Sequence, residues 1–220
     1  TGHFHVNSLS GLGITDYPAG IMAAGALLQY LYETQKSDLS HIITITPYTT
    51  GKYMLIDSSS RRNLELVETL REKQRKGSLI WVLDKTRTAM GARALRNIIE
   101  QPLVDRESII RRQDAIEELN NKNIDREELR EYLNPVYDLE RIMAKISCKS
   151  ANPKDLIAFK NSVEMIPHIK NVLKTFASQL IRSLNEQIDG LSDIFELIDS
   201  SIVDDPPVGM RDGGMIKEGF

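Results

Sequence analysis

The sequence is poor in cysteine and in aromatic residues, and neither sign of charge dominates. Cys148 is the single cysteine among 220 residues, which excludes an internal disulfide and favours a reducing, cytoplasmic location. Aromatic residues make up 6% of the chain and hydrophobic residues 41%, so a core must be mainly aliphatic. The formal net charge is -3, whereas a domain that binds duplex DNA over most of its surface is usually basic. We therefore expect any contact with nucleic acid to be local.

Long hydrophobic runs and catalytic motifs are missing as well. No apolar stretch approaches the ~20 residues that a membrane-spanning helix needs, so we predict no membrane contact. Gly51 and Lys52 form the dipeptide of a phosphate-binding loop, but the earlier glycine and the following Ser or Thr of that motif are absent. We interpret this dipeptide as part of a turn, and we predict no nucleotide-binding residue.

The histidines and the cysteine do not form a recognisable site either. His3 and His5 would share one face of a strand, but no third metal ligand lies nearby in the sequence. His41 and His168 stand alone in polar surroundings and are predicted to lie on the surface. Cys148 has no neighbouring base, so we predict a buried structural thiol. The sequence thus predicts no catalytic, metal-binding or cofactor-binding residue.

Three basic clusters invite a nucleic-acid interpretation: Arg61-Arg62, residues 72–76 and Arg111-Arg112. Each cluster has acidic residues within one helical turn, for example Glu65 and Glu107, which favours solvated helix faces with pairs at i,i+4. No aromatic residues are interleaved with the clusters to stack on bases. A specific DNA contact remains the alternative, and no residue is assigned to DNA binding from the sequence.

The first 41 residues differ in pattern from the rest of the chain. Residues 4–14 are typical of a strand followed by a glycine turn, and Pro18 suits the first turn of an Ala-rich helix because proline lacks the amide that has no partner there. One face of this helix is predicted to carry Met22, Ala26, Leu27 and Tyr30. A strand followed by a helix predicts the last unit of an α/β domain.

The segment that follows alternates between apolar and polar residues. Ile43 and Ile45 alternate with threonines up to a turn-forming stretch, which predicts a short β-hairpin over residues 42–57. Asp57 is predicted to cap the next helix, because its side chain can accept from the free amides of a first turn. We expect that helix to direct Leu64, Val67 and Leu70 inward and to end near Gly77.

After Trp81 the pattern is helix upon helix, and it predicts a mainly α fold, a helical bundle. Asp105 and the pair Asn152-Pro153 are predicted helix starts, and Gly91 is predicted to allow close packing against a crossing helix. The clearest stripe has its apolar residues at i, i+3, i+4 and i+7, which places Glu140 and Lys145 away from the core. The predicted core residues are Met90, Leu95, Ile98, Leu139, Ile142, Met143 and Ile146.

Three segments in this order resemble the MutS family of DNA mismatch repair proteins. They are RRNLEL (residues 61–66), TRTAMGARALRNIIEQPL (residues 86–103) and YDLERIMAKIS (residues 137–147). The resemblance is to the bacterial type and covers essentially the whole chain. It implies that residues 1–41 are the end of the connector domain. Residues 42–220 would then be the first part of the core, or lever, domain, cut at the entry to the clamp from a longer chain.

The resemblance also implies a function for the longer chain. Members of this family recognise mispaired and unpaired bases, bind ATP and Mg²⁺ in an ATPase domain, form homodimers and recruit the partner MutL. The Phe-x-Glu triplet with which the family reads mismatches does not occur here. We therefore expect this segment to be a structural lever without chemistry or a cofactor of its own, and with weak or no DNA binding. A helical protein-interaction module unrelated to DNA repair is the alternative, and an enzyme is a third, weaker one.

Overall fold

The computed structural model describes residues 2–4, 6, 14–35, 39–40, 42–45, 50–207 and 213–220. The chain divides into two compact units, Thr1–Thr50 and Gly51–Phe220. In chain order the α-helices of the described residues are α1 (Pro18–Thr34), α2 (Ser58–Asn63), α3 (Leu79–Leu83), α4 (Ala89–Glu100), α5 (Arg106–Asn121), α6 (Asn123–Leu133), α7 (Leu139–Ser147), α8 (Pro153–Glu164), α9 (Ile166–Leu173), α10 (Gln179–Gln187) and α11 (Ser192–Ser201). The prediction of a mainly helical fold is confirmed.

In the first unit, α1 begins at Pro18 as predicted, but it turns a different face inward. The half-buried side chains are those of Ile21, Ala24, Leu28 and Leu31, whereas Met22, Ala26, Leu27 and Tyr30 are exposed. This corrects the predicted face. The helix is apolar around most of its circumference, so its sequence pattern does not select one side. Most of the predicted strand over residues 4–14 lies outside the described residues, and residues 2–4 form a turn.

The predicted β-hairpin is replaced by a longer-range pairing. Residues 42–45 form no strand, and residues 46–49 lie outside the described part of the chain. Tyr53 instead makes an antiparallel bridge with Leu103, next to Pro102 at the end of α4. The Met54 amide donates to the Pro102 carbonyl at 2.7 Å. An alternating segment accepts any extended partner, so its sequence alone could not specify which one it meets.

The helix after Asp57 is much shorter than predicted. Asp57 does cap it, because Oδ1 accepts from the amides of Ser59 and Ser60 at 2.8 and 2.9 Å. However, α2 ends at Asn63, since Glu65 adopts a positive φ of 49° that no α-helix continues. The residues up to Gly77 form turns instead of helix. The predicted inward residues are also corrected: Leu64 and Leu70 are 62% and 48% exposed and Val67 is half-buried, whereas Leu66 is buried.

Two other predicted helix starts are confirmed. The Asp105 side chain accepts from the Ser108 amide at 2.8 Å, so it caps α5. Asn152 caps α8, with Pro153 in the first helical position, and the Asp155 carboxylate accepts a hydrogen bond from the Asn152 amide at 3.0 Å. This reciprocal capping box satisfies two backbone donors that a bare helix end leaves open.

The core of the second unit consists of two clusters of aliphatic side chains with single phenylalanines. The first cluster joins α5, α9 and α10 and contains Ala115, Val172, Leu173, Phe176 and Ile181. The second cluster joins α7, α8 and α11 and contains Ile142, Phe159, Val163, Ile198 and Ile202. The core is therefore mainly aliphatic, as the low aromatic content predicts.

The predicted core residues occupy different depths. Ile142 is 6% exposed in the second cluster, and Leu139 packs against that cluster. Met90 and Leu95 are half-buried. Three residues correct the prediction, since Ile98, Met143 and Ile146 are 43%, 46% and 36% exposed. Helical periodicity identifies an apolar stripe, but neighbouring helices decide how much of the stripe's width they cover.

Candidate functional site: polar cross-links between helices

The histidines of the described residues have structural partners. The Nδ1 of His3 lies 2.5 Å from the Tyr32 hydroxyl, and its Nε2 lies 2.7 Å from the Ile42 carbonyl oxygen. His168 stacks on Tyr132, with 5.1 Å between ring centroids. His5 and His41 lie outside the described residues. Within the described part of the chain, no group of three or more His, Cys, Asp or Glu residues could hold a metal ion.

Two smaller predictions are corrected. Cys148 is exposed at the C-terminal end of α7, so it is not the buried thiol that the sequence suggested. Gly91 does not face a crossing helix. A Cβ atom there would meet the Thr88 hydroxyl oxygen at 3.0 Å, and that oxygen accepts a hydrogen bond from the Gly91 amide. Gly91 therefore leaves room for the cap of its own helix.

The most extensive cross-link of the second unit joins α4 to the start of α7 through Arg93. Its two terminal nitrogens donate to the two carboxylate oxygens of Asp138 at 2.7 and 2.6 Å. Its Nε and Nη2 also donate to Oε2 of Glu140, at 3.0 and 2.5 Å. A planar guanidinium that meets a carboxylate with two parallel hydrogen bonds fixes orientation as well as distance. Arg93 thus ties together segments 45 residues apart in sequence.

Asp138 has a second role in the same cross-link. Its Oδ1 accepts from the Arg141 amide at 3.3 Å and caps α7. The hydrogen bonds from Arg93 hold the pKa of Asp138 below its usual value, against the opposing effect of desolvation. The hydrogen bonds to Asp138 and Glu140 raise the pKa of Arg93. Because the Arg93 side chain is 47% exposed, solvent screens this attraction. The cross-link therefore fixes the relative orientation of α4 and α7 more than it raises the free energy of unfolding.

Two further contacts tie α7 to α8. The Nζ of Lys145 donates to Oδ1 of Asp155, in the capping box of α8, at 2.6 Å. The fully buried Ser162 hydroxyl donates to the Ala158 carbonyl at 2.7 Å and accepts from the Tyr137 amide at 2.9 Å. The helix α7 is therefore held to α8 at both of its ends, and at its start also to α4.

Lys160 joins α8 to α11 and to the segment beyond it. This lysine is 9% exposed, and its Nζ donates to Asp199 at 3.0 Å and to Asp204 at 3.3 Å. The hydrogen bond to Asp199 raises the pKa of Lys160, although burial acts in the opposite direction. Beyond α11 the chain pairs with itself, since Ile202 bridges Ile216 in antiparallel fashion. Ion pairs and a backbone bridge thus hold α11 and the segment after it in place.

Glu118 links α5 to the start of α10, two helices that contribute to the first cluster. Its carboxylate accepts from the backbone amides of Ala177 and Ser178 at 2.7 and 2.8 Å and pairs with Lys122 at 3.1 Å. Burial alone would raise the pKa of Glu118, but the two backbone amides and Lys122 outweigh it and lower the pKa to about 2. The end of α5 is therefore tied to the start of α10.

Sequence reasoning did not single out Arg93, Lys160 or Glu118. Asp138 carried a usable signal, because an aspartate directly before an apolar helical stripe is a typical N-cap. Glu140 and Lys145 lie outside the core as expected, but both take part in cross-links, which the sequence pattern did not indicate. Partners 45 residues apart leave no periodic trace in a single sequence.

None of the helices in the described residues is long and apolar enough to cross a membrane. The second unit has its helices joined at α4–α7, α7–α8, α8–α11 and α5–α10 by charged or buried polar groups. Such an arrangement can hold helix orientations and can transmit a displacement.

Comparison with known proteins identifies the family. A family model described as MutS domain II matches residues 1–43, and one described as MutS domain III matches residues 59–218. The DNA mismatch repair protein MutS of Lachnoclostridium phytofermentans is 62% identical over 99% of this chain and 23% of its own length. The proteins of the same name from Ruminiclostridium cellulolyticum and Halothermothrix orenii are 51% and 49% identical, each over 99% of this chain.

The chain spans about a quarter of the length of these relatives, 23%, 25% and 24% respectively. All of the cross-links described above fall within the segment that matches domain III. The alternative of an interaction module unrelated to DNA repair receives no support from these matches. The chain therefore belongs to the MutS family of DNA mismatch repair proteins and carries parts of its second and third domains.

Proposed function

We propose that residues 42–220 act as a structural lever that relays position between mismatch-binding and ATPase regions of a longer mismatch recognition protein. The observation that carries the proposal is the bidentate hydrogen bonding of Arg93 with Asp138, which joins α4 to α7. From α7 the chain of contacts continues through Lys145 to α8 and through Lys160 to α11. In this proposal the segment has no chemistry and no cofactor of its own.

The physical argument is that a relay must resist sliding between its helices. Apolar packing is non-directional, so a helix held only by an aliphatic stripe can shift along its neighbour at modest cost. Directional ion pairs at helix ends remove that freedom, and a displacement applied at α4 then reaches α11 instead of being absorbed. In each cross-link at least one partner lies in the first or last turn of a helix or at its N-cap, where it constrains the direction of that helix.

For the longer protein we propose the activity that the family resemblance implies. It recognises mispaired or unpaired bases in duplex DNA, binds ATP and Mg²⁺ in a separate domain, forms a homodimer and recruits MutL in the cytoplasm. The names of the relatives, DNA mismatch repair protein MutS, support the repair role. The connector assignment of residues 1–41 is part of the same proposal.

Substitution of Arg93 in the full-length protein tests the lever. We expect Arg93→Ala to weaken the coupling between mismatch binding and ADP release by about 0.5–2 kcal/mol. Basal ATP hydrolysis should stay unchanged, because the substitution does not touch the nucleotide. The measurement is nucleotide exchange with matched and mismatched duplexes.

Arg96→Ala is the matched control, since Arg96 lies on the same helix and pairs only locally with Glu100, at 3.3 Å. Arg93→Lys separates geometry from charge, because lysine keeps the positive charge but cannot form bidentate hydrogen bonds with a carboxylate. Equal losses for Arg93→Ala and Arg96→Ala would exclude a specific role for the α4–α7 cross-link. Unchanged coupling in Arg93→Ala would contradict the proposal.

A further inference from the structure

A cavity of about 340 Å³ lies between α5 and α10, the two helices that Glu118 links. Its polar lining consists of Arg111, Arg112 and Ser108 from α5, and Gln179 and Ser183 from α10. The described residues that line it include no carboxylate. The cavity therefore combines two guanidinium groups, two hydroxyls and an amide on facing helices.

The positive charge in this cavity is only partly compensated among the described residues, since the Asp105 carboxylate interacts with Arg111. Arg112 is half-buried and has no hydrogen-bond or ion-pair partner among the described residues. Arg111 donates from Nη2 to the Ser108 hydroxyl at 3.2 Å, which orders the guanidinium without neutralising it. Glu107, four residues before Arg111, is exposed and makes no ion pair with it in the described part of the chain. The local pair that the sequence suggested is therefore not formed.

No carboxylate lines this cavity among the described residues, which distinguishes it from another basic cavity of the second unit. A cavity lined by Arg61 and Arg62 also contains Glu68 and Glu100. Arg112 has no charged partner among the described residues, and an anion between the two arginines would provide one.

We propose that this cavity binds a phosphate group, supplied by the DNA backbone or by free phosphate. Guanidinium groups meet tetrahedral oxyanions with paired hydrogen bonds. The Ser183 hydroxyl and the Gln179 amide nitrogen, which line the same cavity, can supply further donors. No aromatic side chain lines the cavity within the described residues, so a base has nothing on which to stack. Recognition is therefore of the phosphate, without base specificity. The proposal does not depend on the lever role.

Titration of the 220-residue chain with inorganic phosphate tests the site directly. The readout is the NMR signal of each arginine Nε–H group, recorded at constant ionic strength by exchanging chloride for phosphate. We expect saturable shifts for Arg111 and Arg112. Arg182 is the internal control, because it is exposed on α10 and does not line the cavity. Absent or non-saturating shifts, or an equal shift at Arg182, would overturn the proposal.

The source of the phosphate is decided with Arg112→Gln and its matched control Arg182→Gln. Arg112→Gln should abolish the phosphate-dependent shift at Arg111, whereas Arg182→Gln should leave it intact. Fluorescence anisotropy with a short matched duplex gives the salt dependence of DNA binding, and loss of one phosphate contact lowers its slope by about one.

A lowered slope in Arg112→Gln identifies the DNA backbone as the source, and an unchanged slope with a lost shift identifies free phosphate. A shift that persists at Arg111 in Arg112→Gln refutes the site. If a thermal melt shows that Arg112→Gln does not fold, Arg111→Gln read at Arg112 replaces it. The titration of the unmodified chain remains decisive in every case.

Discussion

The helices α1 and α7 show that apolar content and burial are separate properties. The 17-residue α1 is largely apolar, yet it contains no fully buried residue, and Met22 and Tyr30 are 76% and 61% exposed. The 9-residue α7 contains charged residues, yet Ile142 is only 6% exposed. The difference lies in the neighbours, since α7 packs against α8 within a core cluster. An apolar stripe becomes a core only where another element covers it.

Hydrogen exchange should give the largest contrast between the two helices. Opening α1 exposes little buried apolar surface. We therefore expect its amides to exchange through local opening that requires only a small free energy. Amides of α7 should exchange only when the second cluster opens, at a free energy several kcal/mol higher. The measurement is exchange of the 220-residue chain, residue by residue. Equal protection in α1 and α7 would abolish the comparison.

Truncation of Ile142 tests the core of α7. We expect Ile142→Ala to lower the free energy of unfolding by about 2–5 kcal/mol, the sum of lost burial and of the cavity left behind. Met143→Ala on the same helix is the control, because Met143 is 46% exposed and should cost about 1 kcal/mol or less. Chemical denaturation measures both. Equal costs would mean that α7 does not bury the Ile142 face preferentially.

Glu118 tests a polar link of the bundle, with a pH dependence of defined sign. At neutral pH we expect Glu118→Gln to cost about 1.5–3 kcal/mol, because two backbone amides and Lys122 lose their charged partner. The folded pKa of about 2 lies below the ordinary value of 4.5. The contribution is therefore fully present above pH 4.5 and is lost as the pH falls toward 2.

The control for this prediction is the neighbouring Glu117→Gln, since Glu117 is exposed. Thermal melts from pH 7 downward, compared between the two variants and the unmodified chain, measure the effect. The gap between Glu118→Gln and the unmodified chain should narrow as the pH falls. A gap that is constant with pH would show that the carboxylate charge does not matter.

The smallest expected effect is discrimination between matched and mismatched DNA. With a net charge of -3 and no Phe-x-Glu triplet, the 220-residue chain should bind duplexes weakly and lose them at moderate salt. A matched and a G·T duplex should bind equally in fluorescence anisotropy at two salt concentrations. A several-fold preference for the G·T duplex would show that these residues read mismatches themselves.

The local parts of this fold could be read from the sequence because they depend on groups within a few residues of one another. Asp57, Asp105 and Asn152 were identified as helix caps, since a cap and its amides are at most three residues apart. The helical class and the family resemblance likewise rest on periodicity and on contiguous segments. The end of α2 at Asn63 was missed, because the helix stops before Glu65, whose positive φ is accompanied by hydrogen bonds from the more distant Leu70 and Leu79 amides to its side chain and carbonyl oxygen.

The candidate site was decided by tertiary structure alone. The sequence contained Arg93 and Asp138, but only the tertiary structure brings these two side chains together. It also contained Arg111 and Arg112 with a nearby glutamate, and only the placement of α10 leaves them facing a cavity without a carboxylate. The sequence by itself determined the helical class, the caps at Asp57, Asp105 and Asn152, and the family resemblance, since those depend on short-range patterns. Which faces are buried and which charges meet depends on long-range packing, because that alone sets the distance between residues far apart in the chain.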